Sequence, residues 1–108
     1  VEEYLRTSEV YTNAALSIKD VADATGISKN NLSKSINVTL GKNFFDLVNG
    51  FRIEKSKALL MSKKEKGLTL ETIAEQCGFN SRITFNNAFK KVIGVTTTEW
   101  LKLNQNEK

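Results

Sequence analysis

An all-α fold is what this 108-residue sequence predicts, and three observations predict it. The chain has no proline and only six glycines, and its apolar residues recur at the 3.6-residue period of helices. A composition of 40% apolar and 26% charged residues fits one ordinary globular domain over residues 1–108, large enough to bury one modest core.

Each element has its own signal. Tyr4 to Tyr11 is expected to form a first helix with Leu5 and Val10 facing inward. Ser17 with Asp20 has capping-box spacing and opens a short helix through Ile18, Val21 and Ala22 that stops at Gly26. Ser28 starts another, whose stripe of Leu32, Ile36 and Leu40 ends at Gly41. One long helix is predicted over 44–62, with Phe44, Leu47, Val48, Phe51, Ile53 and Leu60 on it and Gly50 as an internal weak point. Lys63 to Gly67 reads as an exposed loop, and its lysines Lys63, Lys64 and Lys66 as a solubilising cluster. Thr69 begins a helix through Ile73 and Ala74 to Gly78, and Ser81 begins one through Phe85, Phe89 and Ile93 to Gly94. Thr96 with Glu99 repeats the capping-box spacing before a C-terminal helix over 96–103.

What is absent narrows the chemistry. The chain contains no histidine and one cysteine, so imidazole bases, Ser/His/Asp triads and the usual zinc sets are missing. Asp20, Asp23, Glu71 and Glu75 lie on helix starts, where capping or solvation accounts for them. No enzyme, metal or cofactor is expected. Cys77 can form no internal disulfide, and the expectation is a packed thiol in a reducing cytoplasm. No apolar run is long enough for a membrane span. The chain begins with valine, which predicts a piece of a longer polypeptide whose other parts include a sensor or a membrane anchor.

The second half of the sequence repeats the first. Val21, Ala22, Gly26 and Ile27 match Ile73, Ala74, Gly78 and Phe79 at one constant spacing. With one residue inserted, Leu32, Ile36, Leu40 and Gly41 match Phe85, Phe89, Ile93 and Gly94. Two copies of one helix, glycine turn, helix unit are therefore present, at 16–41 and 69–94. A small residue, Ala22 or Ala74, permits a close helix crossing, and the glycine four positions later suits a left-handed turn, as a helix-turn-helix requires. A connector of about 19 residues spans roughly 28 Å, close to the roughly 34 Å between successive major grooves on one face of DNA.

These residues resemble the DNA-binding domain of the AraC/XylS family of bacterial transcription regulators over Leu16 to Lys102. The resemblance is most specific in Gly78-Phe79-Asn80-Ser81, Phe85, Ala88-Phe89-Lys90-Lys91, Gly94-Val95-Thr96 and Trp100, and extends to the connector Gly41–Leu60 with Arg52. It implies two homeodomain-like helix-turn-helix subdomains on a long central helix, about seven helices in all. Family members commonly carry Ser-Pro where this chain has Thr96-Thr97, and usually tyrosine at Trp100. Proline is favourable but replaceable at a first helical position, so the departure touches preorganisation and not the fold. The resemblance further implies an activator that contacts RNA polymerase, with dimerisation through a segment outside these residues.

Candidate DNA contacts follow from the helical wheel. In the first unit Asn30, Lys34 and Asn37 lie opposite the apolar stripe with Asn31 and Ser33 on its flanks. Asparagine can pair with an adenine edge, and lysine with guanine or phosphate. In the second unit Ile83, Thr84, Asn87, Lys90 and Lys91 turn away from Phe85 and Phe89. Ile83 is either a thymine-methyl contact or an incidental exposed residue; Lys90 and Lys91 suit phosphates. Arg82, at the helix start, suits guanine or phosphate. The family's base-reading positions match Asn30, Ser33 and Lys34 in the first unit, and Arg82, Ile83, Thr84, Asn86 and Asn87 in the second. The aromatic residues, Phe45 among them, are expected mostly in the core rather than as stacking platforms for single strands.

The net charge of +4 is uneven. Residues 1–24 carry two basic and five acidic side chains, residues 25–66 nine and three, and the remainder five and four. The positive excess lies on the first candidate recognition helix, the connector and the lysine cluster, and favours a polyanionic partner. Double-stranded DNA is the leading expectation. A helical protein-interaction module that binds an acidic partner is the alternative.

Overall fold

The structure is a computed structural model describing residues 2–105, so the expected 1–108 span runs past it at both ends. Among the described residues it contains α-helices and no strand: α1 (Glu2–Ser8), α2 (Ile18–Thr25), α3 (Lys29–Leu40), α4 (Phe44–Met61), α5 (Lys63–Lys66), α6 (Leu70–Cys77), α7 (Arg82–Ile93) and α8 (Thr97–Gln105). Ser17, Ser28, Thr69 and Ser81 each accept a backbone N–H three residues on, as N-caps do.

Two expectations about elements are corrected. The first helix stops at Ser8, because Glu9 adopts a left-handed conformation (φ 55°) before a 3-10 turn over Val10–Thr12. The Glu9 carboxylate lies 3.2 Å from Lys55 Nζ of α4 and accepts from the Tyr11 hydroxyl at 3.3 Å. The supposed loop at Lys63–Lys66 is the one-turn helix α5. Its lysines and glutamate are good helix formers, and the turn closes only at Gly67, φ 65°.

The single expected core is two. In the first unit Leu5, Val21, Ala22, Leu32, Ile36 and Leu47 form an aliphatic cluster. In the second, Ile53, Leu60, Ile73, Ala74, Cys77, Phe79, Phe85 and Phe89 form a cluster that includes three aromatic rings. Phe79–Phe85, Phe85–Phe89 and Phe89–Trp100 centroids lie 5.5, 6.0 and 5.9 Å apart, within the range of favourable ring pairs. The molecule is a rod of 45 × 23 × 23 Å, too slender for one central core. Helix α4 serves both ends, with Leu47 in the first cluster and Ile53 and Leu60 in the second. Burial pushes the Cys77 thiol up to about 11, so it is protonated at neutral pH and unreactive there.

The halves are clipped together by Arg52 of α4, which is buried. Its Nε donates to the Tyr11 carbonyl at 2.7 Å, Nη2 to the Asn13 carbonyl at 3.1 Å and Nη1 to Asn49 Oδ1 at 3.1 Å. Its guanidinium lies over the Phe79 ring, 5.6 Å from the centroid. Against this junction sits the turn of the second unit. Gly78 (φ 100°) donates to the Ala74 carbonyl, as Gly26 (φ 76°) does to Ala22, so the repeated alanine supplies the acceptor that closes each turn. The two glycines differ in their surroundings. A Cβ on Gly26 would meet open space, whereas one on Gly78 would collide with the Tyr11 carbonyl oxygen and stand 2.9 Å from the Thr12 carbonyl carbon.

This contrast gives a graded prediction for urea denaturation. Gly26→Ala pays only the left-handed backbone penalty, about 1–2 kcal/mol, while Gly78→Ala adds a backbone collision and loses about 3 kcal/mol or more. Gly50 lies inside α4 with open space around it, so Gly50→Ala stabilises by about 0.5–1 kcal/mol. Equal losses for Gly26→Ala and Gly78→Ala would show that the junction places no demand on position 78.

A second prediction concerns α8. Thr96 N–H donates to the Glu99 carboxylate at 3.0 Å, and Glu99 N–H to Thr96 Oγ1 at 3.1 Å. The hydrogen bond from the Thr96 backbone holds the Glu99 carboxyl below its ordinary range. A lowered folded-state value stabilises fully above the ordinary carboxylate pKa and is lost as pH falls through the lowered one. An NMR titration should show Glu99 protonating below the ordinary glutamate range, with Thr96 amide protection falling at the same pH.

Candidate nucleic-acid interface

Helices α3 and α7 are built alike, each of 12 residues, capped by a serine and stopped by a glycine. Leu32 and Ile36 bury one face of α3, and Phe85 and Phe89 bury one face of α7. Asn30, Asn31, Ser33, Lys34 and Asn37 are exposed on α3; Arg82, Ile83, Thr84, Asn87, Lys90 and Lys91 are exposed on α7. Ile83 is 70% exposed, a large apolar side chain standing in solvent.

Asn86 is placed differently from its neighbours. It is half-buried, and its Oδ1 is shut off from solvent without a hydrogen-bond partner. Its position next to Phe85 turns it toward the core edge. Three other side chains are already engaged. Arg82 Nη1 lies 3.1 Å from Glu71 Oε1, Lys91 Nζ lies 3.3 Å from Asp46 Oδ1, and the Thr84 hydroxyl is 3.0 Å from that of Ser81. The aromatic expectation holds for Phe79, Phe85 and Phe89, which are buried, but Phe45 is 72% exposed. It is the second residue of α4, turned away from Leu47, and shares a groove with Val48 and with Ser33 of α3.

The charge at the helix starts separates these two helices from the rest. Each of α1, α2, α4, α5, α6 and α8 carries an acidic residue in its first turn, where carboxylates favourably meet the positive end of the helix dipole. Helices α3 and α7 carry none. Both instead open on a cation, Lys29 in α3 and Arg82 in α7. This arrangement costs a few tenths of a kcal/mol in each free helix and leaves both N-termini suited to an external anion such as a phosphate. Lys29 is the residue that wheel reasoning missed. The repeat that aligns Leu32 with Phe85 also aligns Lys29 with Arg82, so the signal was present. Val38, 77% exposed on α3, is a further apolar residue that the periodicity did not single out.

Among the described residues no group of three or more histidine, cysteine, aspartate or glutamate side chains could hold a metal ion, and no helix is long and apolar enough to cross a membrane.

Comparison with known proteins agrees with this architecture. Residues 21–103 match a helix-turn-helix domain family. Over 89 residues, 82% of its length, the chain is 30% identical to the xylose operon regulatory protein of Escherichia coli strain K12, of which it spans 22%. The C-terminal domain of AraT, a response regulator from Geobacillus stearothermophilus, is similar at a TM-score of 0.80 and 29% identity, covering 94% of this chain and 80% of that one. The C-terminal domain of the two-component response regulator yesN from Fusobacterium nucleatum gives 0.74 and 29%, with 87% and 88% covered. The interaction module for an acidic partner, the alternative left by composition, is not favoured by these relationships. The chain belongs to the AraC-type helix-turn-helix family, whose members are DNA-binding transcription regulators and not enzymes.

Proposed function

We propose that this domain reads duplex DNA sequence-specifically, with α3 and α7 in successive major grooves. The observation that carries the reading is the pair of helix starts without acidic residues, each opening on a cation, on the two helices whose polar faces stand exposed. The 18 residues of α4 extend roughly 27 Å, a separation of the order needed to serve grooves about 34 Å apart. Asn30, Asn31, Asn37 and Asn87 suit adenine edges, and Ile83 a thymine methyl. Lys34 suits guanine or phosphate, Ser33 and Thr84 add hydroxyl contacts, and Lys29, Lys90 and Lys91 suit phosphates. Asn86 reaches a base only if its side chain leaves the core edge.

The chain spans about a fifth of the xylose regulator's length, so the wider role belongs to the same proposal. The domain acts in the cytoplasm within a larger bacterial activator. RNA polymerase contact and dimerisation involve surfaces or segments beyond the two reading helices.

Neutralising several phosphates makes affinity fall with salt at a log–log slope of about −0.9 per contact. After selection of bound sequences from random duplexes, the preferred site should contain two short motifs about one helical turn apart. Lys34→Ala and Asn87→Ala should each weaken binding to it by about 1–3 kcal/mol, measured by fluorescence anisotropy. Unchanged affinity in both variants would refute the assignment of these faces.

A further inference from the structure

Resting on the DNA-reading proposal, we infer that Glu71 is a positioning residue that sets base specificity in the second unit by holding Arg82. Both partners are anchored through capped backbone. Thr69 accepts the Thr72 N–H and fixes the first turn of α6, and Ser81 accepts the Thr84 N–H and fixes the first turn of α7. Between these starts Glu71 Oε1 takes the Arg82 guanidinium by Nη1 at 3.1 Å. That grip leaves the Nε and Nη2 edge of the guanidinium, two parallel donors with the spacing to pair with O6 and N7 of guanine. An arginine with one edge held loses less rotamer freedom when its other edge binds a base, which is how a supporting carboxylate sharpens readout.

The repeat supplies an internal comparison. The spacing that matches Val21 with Ile73 matches Lys19 with Glu71, and the spacing that matches Leu32 with Phe85 matches Lys29 with Arg82. Where the second unit has a carboxylate and a guanidinium, the first has two lysines. Lys29 has no carboxylate partner among the described residues. An ammonium without a supporting partner is a point charge without a fixed fork, suited to anchoring on phosphate. The two heads thus divide the work: the start of α3 anchors, and the start of α7 discriminates.

The test is selection of bound sequences from random duplexes with the parent chain, Glu71→Gln, Arg82→Ala and Asn87→Ala. Arg82→Ala should abolish a guanine preference at one base pair. Glu71→Gln should weaken that same preference about 5- to 10-fold and leave the other positions as in the parent. It should also bind random duplex more tightly, because a negative charge near the phosphates is gone. Both residues are exposed, so the melting temperature should stay within a few degrees of the parent. If Glu71→Gln keeps the parental preference at every base pair while Asn87→Ala shifts one, the positioning role is overturned and the DNA reading stands. If the parent selects no sequence above random, the DNA reading fails and this inference with it.

Discussion

The structure depends on a buried guanidinium. Arg52 is placed where three segments meet: the turn after α1, the middle of α4 and the turn of the second helix-turn-helix. Burial pulls its pKa down, yet arginine titrates so high that it remains charged. The backbone carbonyls of Tyr11 and Asn13 would otherwise lose these partners at the junction. Removing the side chain would cost more than its own contacts, because the buried Tyr11 carbonyl left unpaired carries a full desolvation penalty, while the Asn13 carbonyl keeps the Leu16 N–H. Lysine is a poor substitute, since one ammonium cannot reach three acceptors in the directions of a planar fork.

Glycine at position 78 follows from the same constraint. With the Tyr11 carbonyl drawn to Arg52 Nε, its oxygen occupies the space that any side chain at position 78 would need. The first unit has no such neighbour, and its glycine answers only to the left-handed turn. The two copies have thus diverged in their cores, aliphatic in one and aromatic-rich in the other, and in the demands on their turns. What they share is the local chemistry of a serine cap, an apolar stripe and a cationic first residue.

Much of this was legible because it is local. Ser17, Ser28, Thr69, Ser81 and Thr96 mark helix starts by hydrogen bonds spanning three residues, and the glycines mark stops by backbone conformation alone. The exposed faces of α3 and α7 follow from the stripes Leu32–Ile36 and Phe85–Phe89. The remainder is carried by contacts between distant residues. An arginine within a helix reads as solvated until Tyr11 and Asn13 are brought to it. At the break, Glu9 is paired with Lys55 of α4, a contact that periodicity cannot see. Asn86 and Phe45 deviate for a related reason: a wheel gives direction, while burial also depends on what neighbouring helices place opposite. The ion pairs of Arg82 and Lys91 with Glu71 and Asp46 likewise join separate helices.

The uninterrupted α4 also restricts how such a domain can change over time. Inserting one residue into this helix would turn one head by about 100° and advance it about 1.5 Å relative to the other. Inserting one base pair between the two motifs would rotate the target by about 35° and advance it about 3.4 Å. No single step in the protein is cancelled by a single step in the DNA. Seven residues nearly restore the facing of the heads but displace one by about 10 Å, roughly three base pairs, which turns the target by about 100°. On the proposed reading, the length of α4 is a gauge block cut to the pitch of the duplex, and binding sites for this domain can drift in sequence far more readily than in spacing.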